Sequence, residues 1–368
     1  MYQVGMRTAK RGVWNISKYA AKQSRNGTLS VSMLLRERCL VTLSAVLVLE
    51  LEGMADVKAL ETVPLCVHVS LLPTHLKLDL LSLVIQSPVC SAAVLATLLA
   101  TDMDRLELEG YNLDDTSALE RAWTFRQMGD NLTHIHVGGL ALQASDFDAL
   151  VHHVPNLQAL DVSYNKHWHD KHTLNVLLGA RQLVEMNLNW CHNVTDVSAS
   201  HIARRGSNLK RLGLTGTSIS SVGVVKLRCC ALLEELSLQA CDAVDTLPRD
   251  LLHLQAIDLR GLSYIPERTL VDFIAPVWRR LRKANLGESN LSSASFADLF
   301  CHGECPLLES LDLSWCFQLT NDAILACFQH APSLKTIKLR CVDVDNSCLL
   351  AIGALRPLEA SRESLWRL

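Results

Sequence analysis

One spacing constrains this chain more than any other property. An apolar pattern of the form L-x-x-L-x-L returns ten times between residues 103 and 339. It runs Met103–Leu106–Leu108, Leu132–Ile135–Val137, Leu157–Leu160–Val162, Leu183–Met186–Leu188 and Leu209–Leu212–Leu214. It continues as Leu233–Leu236–Leu238, Leu254–Ile257–Leu259, Leu281–Ala284–Leu286, Leu308–Leu311–Leu313 and Leu334–Ile337–Leu339, and Leu358 opens a degenerate further copy. Successive copies start about 21 to 29 residues apart, a period that marks stacked repeats. The closing L-x-L step puts both side chains on one face of a short strand, because strand side chains alternate. Stretches with 3.6-residue spacing, such as Val197–Ile202 and Ala323–Phe328, predict a helix between strands. A single unit cannot bury its own apolar face, so neighbours must stack into one continuous core.

The corners after the strands repeat as well. Trp190–Cys191–His192–Asn193–Val194–Thr195–Asp196 is a near-copy of Trp315–Cys316–Phe317–Gln318–Leu319–Thr320–Asn321–Asp322, and Gln239–Ala240–Cys241–Asp242–Ala243–Val244 is a weaker one. This pattern resembles the cysteine-containing class of leucine-rich repeats found in F-box proteins and in the antagonist-of-mitotic-exit-network family. The resemblance implies an α/β leucine-rich-repeat solenoid, a horseshoe with a parallel concave sheet, outer helices and an N-terminal helical cap. It also makes each Cys a small buried residue just after a strand. Asp196 and Asp322 then fall where helix N-caps are expected. Cys301-x-x-x-Cys305 and Cys229–Cys230 lack the spacing of a zinc site.

Residues between and just after the strand leucines point to the open side of such a sheet. Candidate substrate-binding groups there are Asp161, Asn187, Asp312 and Lys338 in the first row, with Asn189, Arg260 and Arg340 in the second. The next position adds Tyr164, Trp190 and Trp315, three aromatics on one line in a chain that is only 5% aromatic. Aromatic groups flanked by polar ones have the composition of a binding hot spot. The competing account has these rings covering the strand-to-helix corner of the preceding repeat. An open, long surface suits a protein or peptide better than a small molecule.

Several function classes find no support. The chain has no Gly-rich phosphate loop, no G-x-S-x-G elbow and no H-E-x-x-H pair, so no enzyme and no cofactor is expected. Lys and Arg number 35 against 38 Asp and Glu, which gives no basic field for nucleic acid. The longest apolar run, Cys39 to Leu51, is broken by Thr42, Ser44 and Glu50 and falls short of the roughly 18 residues a membrane span needs. The cluster His167–Trp168–His169–Asp170–Lys171–His172 offers metal-ligand chemistry, but a solvated, slightly lengthened loop is the simpler expectation, and no metal is assigned.

Ahead of the repeats the pattern changes. Residues 1–27 are basic, with no acidic residue before Glu37, as in a transit peptide or a solvated tail. Residues 28–100 read as a helical docking or cap region, and 101–368 as the repeat domain. Leu35, Cys39 and Leu43 recur at i, i+4 and i+8, on one helix face. Leu34–Leu35–Arg36–Glu37–Arg38–Cys39–Leu40–Val41–Thr42–Leu43 resembles the BC box by which substrate receptors dock on elongin C. In Leu71–Leu72–Pro73–Thr74–His75–Leu76–Lys77–Leu78–Asp79–Leu80, residues Pro73, Leu76 and Leu80 resemble a cullin box, with Pro73 suited to a first helical turn. That order of elements is similar to the Zyg/Zer family of ubiquitin-ligase receptors, whose C-terminal armadillo-like domain has no counterpart here.

The same Leu72–Pro73 also resembles the opening of an F-box, which implies a Skp-type adaptor in place of elongin C and a cullin. A third account is a plain cap on a scaffold protein, within an organelle complex if the basic tail is a transit peptide. The resemblances imply a non-catalytic substrate receptor of a cullin-type ubiquitin ligase, in the cytoplasm or nucleus rather than the mitochondrion, with a protein substrate on the concave face.

Overall fold

The computed structural model describes residues 43, 69, 72–73, 75–77, 79–80, 98, 104–108, 131–140, 142–152, 154–301, 303–345, 348 and 350. The chain divides into two compact units, residues 1–157 and 158–368. The described strands of both carry the repeat, and the architecture is an α/β leucine-rich-repeat solenoid.

In the first unit β1 (Arg105–Glu107) pairs in parallel with β2 (His134–His136), and α1 (Ala144–Leu150) follows. The Gln143 amide donates to Asp146 Oδ2 at 2.8 Å, which closes the first turn of α1. Earlier in this unit Val69, residues 75–77, residues 79–80 and Leu98 are helical. The Pro73 carbonyl accepts from the amides of Leu76 and Lys77 (2.9 and 3.2 Å), so this proline opens a helical turn as its fixed φ favours.

The described residues of the second unit form eight strands. They are β3 (Ala159–Asp161), β4 (Glu185–Asn187), β5 (Arg211–Gly213), β6 (Glu235–Ser237), β7 (Ala256–Asp258), β8 (Lys283–Asn285), β9 (Ser310–Asp312) and β10 (Thr336–Lys338). Each pairs in parallel with the next, and the register keeps equivalent repeat positions opposite one another: Leu160 faces Met186, Met186 faces Leu212, and Leu212 faces Leu236. A slip of one residue would turn these apolar side chains out of the core. Burying each Leu fully stabilises the stack by about 1.5–3 kcal/mol.

Between the strands run α2 (Asp170–Gly179), α3 (Asp196–Arg205), α4 (Ser221–Lys226), α5 (Glu267–Ile274), α6 (Ser293–Cys301) and α7 (Asn321–His330). No helix lies between β6 and β7, the joint where the sequence period is shortest.

Two sequence expectations are corrected here. The N-cap of α3 is Thr195, whose Oγ1 accepts from the Val197 amide, and that of α7 is Thr320; neither Asp196 nor Asp322 is the cap. Asp196 instead reaches the next repeat and accepts from the amide and hydroxyl of Ser220, at 2.8 and 2.6 Å. Asp170 does the same one repeat earlier, accepting from the amides and hydroxyls of Thr195 and Ser198. At α2, α3 and α5 an acid at the first helical position, Asp170, Asp196 or Glu267, thus ties the helix start to the next repeat. The histidine run is likewise not a solvated loop. Trp168 and His172 are buried, and the Trp168 indole donates to Thr173 Oγ1 at 3.0 Å.

The corner cysteines are buried as expected. Cys191, Cys241 and Cys316 each aim Sγ at the carbonyl of the residue just after the strand of the preceding repeat, Val162, Leu214 and Leu286, at 3.1 to 3.3 Å. Burial pushes the Cys191 thiol up to about 12, so it is a neutral packing group at pH 7.

Candidate functional site on the sheet face

Three residues past every strand from β2 to β10 the backbone turns left-handed. The residues there are Gly139, Tyr164, Trp190, Gly216, Ala240, Gly261, Glu288, Trp315 and Cys341, with φ between 53° and 77°. For a residue with a Cβ this conformation costs about 1–2 kcal/mol. Hydrogen bonds between repeats offset that cost. The amides of Tyr164, Trp190, Ala240, Glu288 and Trp315 donate to the carbonyls of Asn189, Thr215, Arg260, Ser314 and Arg340, at 2.6 to 3.0 Å. The turn sends the following chain back toward the helix and leaves the side chain at the corner standing at the surface.

Two aromatic groups stand on this column. Tyr164 is 65% exposed and lies nearly parallel to Trp190, with ring centroids 6.1 Å apart. His192 meets the Trp190 ring edge-on at 6.2 Å. The other side of Trp190 covers Gly216, where any Cβ would collide with the indole. At the second group Phe317, which is exposed, meets Trp315 edge-on at 6.0 Å, and the Arg340 guanidinium sits over the same ring at 5.6 Å. Five strand spacings, about 24 Å, separate β4 from β9. Between the two groups the column carries no ring: Gly216, Ala240, Gly261 and Glu288 fill it.

The remaining predicted groups are placed on the same face but differ in what they have left to offer. Asp161 accepts from Asn187 Nδ2 at 2.7 Å and from the amide and hydroxyl of Ser163. Asn187 accepts from the Asn189 amide, and Asn189 from the Thr215 amide, so these three form a ladder that fixes the turns. Asp312 is buried, accepts from the Ser314 amide and faces Lys338 Nζ at 3.4 Å. Burial pushes the Asp258 carboxyl up, against the pull of the Arg260 amide and Asn285. Arg260 is held by Glu288 at 2.7 and 3.0 Å. Tyr164, Trp190, Trp315, Lys338 and Arg340 are therefore the predicted groups that present surface outward. His192 and Phe317, both exposed, belong with them and were not singled out from the sequence. Phe317 and His192 follow the Trp-Cys pairs directly, which was the signal for them.

Of the predicted docking residues, Leu35 and Cys39 lie outside the described residues. Leu43 is helical and half-buried, Pro73 is exposed and Leu76 is half-buried. Leu80 is fully buried, so its side chain packs inside the chain and is not on an open docking face in this conformation. Among the described residues no group of three or more His, Cys, Asp and Glu is placed to hold a metal ion. None of their helices is long and apolar enough to cross a membrane.

No family model matches the sequence. Two curated proteins resemble it. F-box/LRR-repeat protein 4 of Bos taurus is 30% identical over 162 residues, covering 43% of this chain and 22% of that protein. Putative F-box/LRR-repeat protein 22 of Arabidopsis thaliana is 30% identical over 178 residues, covering 45% of this chain and 54% of that protein. The chain thus spans about a fifth of one relative and about half of the other. Among solved structures, the Rad7 and Elc1 complex in yeast has a TM-score of 0.44 at 16% identity, covering 90% of this chain and 94% of that one. The leucine-rich repeat-containing protein LegL7 from Legionella pneumophila has a TM-score of 0.40 at 14% identity, covering 69% and 89%.

Proposed function

We propose that this chain is a non-catalytic substrate-recognition subunit of a cullin-type ubiquitin ligase. The sheet face of its repeats holds a protein substrate, and residues 28–100 bind the ligase adaptor. The observation that carries the binding role is the outward aromatic column, with Tyr164 exposed and stacked on Trp190 and Arg340 over Trp315. Rigid aromatic rings and an arginine at the surface are the groups that dominate protein interfaces. The ligase role is supported by the names of the two curated relatives, both F-box/LRR-repeat proteins, together with the BC-box-like and cullin-box-like stretches. The chain does no covalent chemistry in this account and works by holding two partners near each other.

The adaptor is open to direct test. The relatives' names favour a Skp-type adaptor, while Leu35, Cys39 and Leu43 favour elongin C with a cullin. Affinity capture of the full chain from cell extract should recover one of these two sets. If the elongin reading holds, Leu35→Ser with Cys39→Ser abolishes capture while the far-ultraviolet circular dichroism of the repeats is unchanged. Recovery of neither adaptor by a folded chain would sink the ligase reading and leave a scaffold with other partners.

A further inference from the structure

A second surface lies at the edge where the chain enters the strands, opposite in strand direction to the aromatic corners. There a cleft of about 360 Å³ opens beside β5 to β9. Two of its lining residues, His253 and Gln255, come from the joint between β6 and β7, which carries no helix. Two rows of side chains line it. The outer row, one residue before each buried repeat leucine, reads Leu232, His253, Arg280, Leu307 across four consecutive repeats. The inner row, at the residue before each strand, reads Lys210, Glu234, Gln255, Arg282.

The charge in this cleft is lopsided. Glu234 is held by Lys210 at 2.9 Å. Arg282 is held by Glu309 at 3.1 Å, and Glu309 also takes Lys335 at 2.7 Å. Arg280 has no ion-pair partner among the described residues. It stands on a short 3₁₀ turn, Trp278–Arg280, anchored by the fully buried Trp278, so its backbone is fixed while its side chain faces solvent. On either side of this cation, Leu232 and Leu307 are 46% and 41% exposed. They are three strand spacings apart, about 14 Å. That is the reach of about four residues of extended chain.

We propose that this cleft docks an acidic peptide segment in extended form. Its carboxylates face Arg280 and His253, and apolar residues four positions apart rest on Leu232 and Leu307. The Gln255 amide offers both a donor and an acceptor to the peptide backbone. The site is separate from the aromatic column and holds whether or not the chain joins a ligase. It states the chemistry of a partner: anionic residues bracketed by two apolar ones.

The test uses the full chain and a fluorescein-labelled peptide of sequence Ala-Leu-Glu-Glu-Glu-Leu-Ala, followed by anisotropy at low salt. Saturable binding is expected, weakened at least tenfold by Arg280→Glu and again by His253→Glu. It should be lost when the three glutamates become lysines and weakened several-fold when the leucines become serines. Trp190→Ala should leave it unchanged, which separates this site from the sheet face. Both cleft residues are exposed, and matching urea midpoints for the variants and the parent will show that their folds are intact. Equal affinity for the parent and Arg280→Glu, absence of saturable binding, or loss of binding in Trp190→Ala alone would each overturn the proposal.

Discussion

Trp190 and Trp315 occupy the same left-handed corner, each followed by a buried cysteine, yet their surroundings differ. Trp190 is walled on both faces, by Tyr164 on one side and by the bare backbone of Gly216 on the other. Trp315 has Arg340 over its ring and Phe317 at its edge, and its neighbour in the column is Cys341 rather than glycine. The helices behind the two corners are also joined differently. Near Trp190 the carboxylates of Asp170 and Asp196 bind the next helix start. Near Trp315 the link is between hydroxyls, Ser293 to Thr320 at 3.1 Å, with the Thr320 amide donating to Ser293 at 2.8 Å. One repeat sequence therefore builds a stiff aromatic wall at one end and a cation-capped, adaptable contact at the other.

This contrast can be broken from either side. The largest effect is expected for Gly216→Val, which adds a β-branched side chain at φ 62° and drives it into the Trp190 ring. We expect a loss of about 3 kcal/mol from strain and displaced packing, read as a lower urea midpoint, together with loss of substrate capture. Asp170→Ala should cost about 2 kcal/mol, because it leaves the Thr195 and Ser198 donors without their charged acceptor.

Asp170 also gives the two ends different pH responses. Burial pushes its carboxyl up, but the hydrogen bonds from Ser198 and Thr195 outweigh burial and hold it below the ordinary aspartate value. Its folded form therefore prefers to be ionised. The contribution is complete above the unfolded value, about pH 4, and is lost as pH falls through the lowered one. Hydrogen exchange followed by mass spectrometry should show the start of α3, tied by Asp170, losing protection in acid before the start of α7, tied by Ser293. Simultaneous loss would mean that the hydroxyl-linked end is no more acid-resistant. The smallest expected effect is in Arg340→Ala, about 0.5 kcal/mol for an exposed cation over a ring. Trp190→Ala should cost about 1 kcal/mol more than Trp315→Ala in urea denaturation, since it also uncovers the Gly216 backbone on which the ring packs.

Much of the fold could be read from spacing alone. Each of the ten L-x-x-L-x-L copies between residues 103 and 339 carries a strand that starts one residue before its second apolar position, and Cys191, Cys241 and Cys316 are buried as the repeat demands. Helix starts were harder, because Asp196 looks like a cap in sequence but serves its neighbour through a hydrogen bond that exists only once repeats stack. The left-handed column left a trace in Gly139, Gly216 and Gly261 at equivalent positions. Tyr164 and Trp190 mask it, since residues with a Cβ rarely adopt that conformation. The basic cleft was invisible for a different reason. Leu232, His253, Arg280 and Leu307 are more than twenty residues apart in the chain and become neighbours only through register. Of the docking segment, Leu80 turned out to be an interior residue although its spacing suited a contact.

The left-handed corner has a consequence for how such a protein changes over generations. Its conformational penalty is set by the backbone and is nearly the same for Tyr, Trp, Ala, Glu or Cys, while the apolar ladder beneath does not depend on which of them is present. Recognition chemistry can then be exchanged one corner at a time, from ring to carboxylate to thiol, with the load on the scaffold held constant. Gly216, where the Trp190 ring has grown across the vacant position, loses that freedom, while the Gly139 and Gly261 corners have no such neighbour.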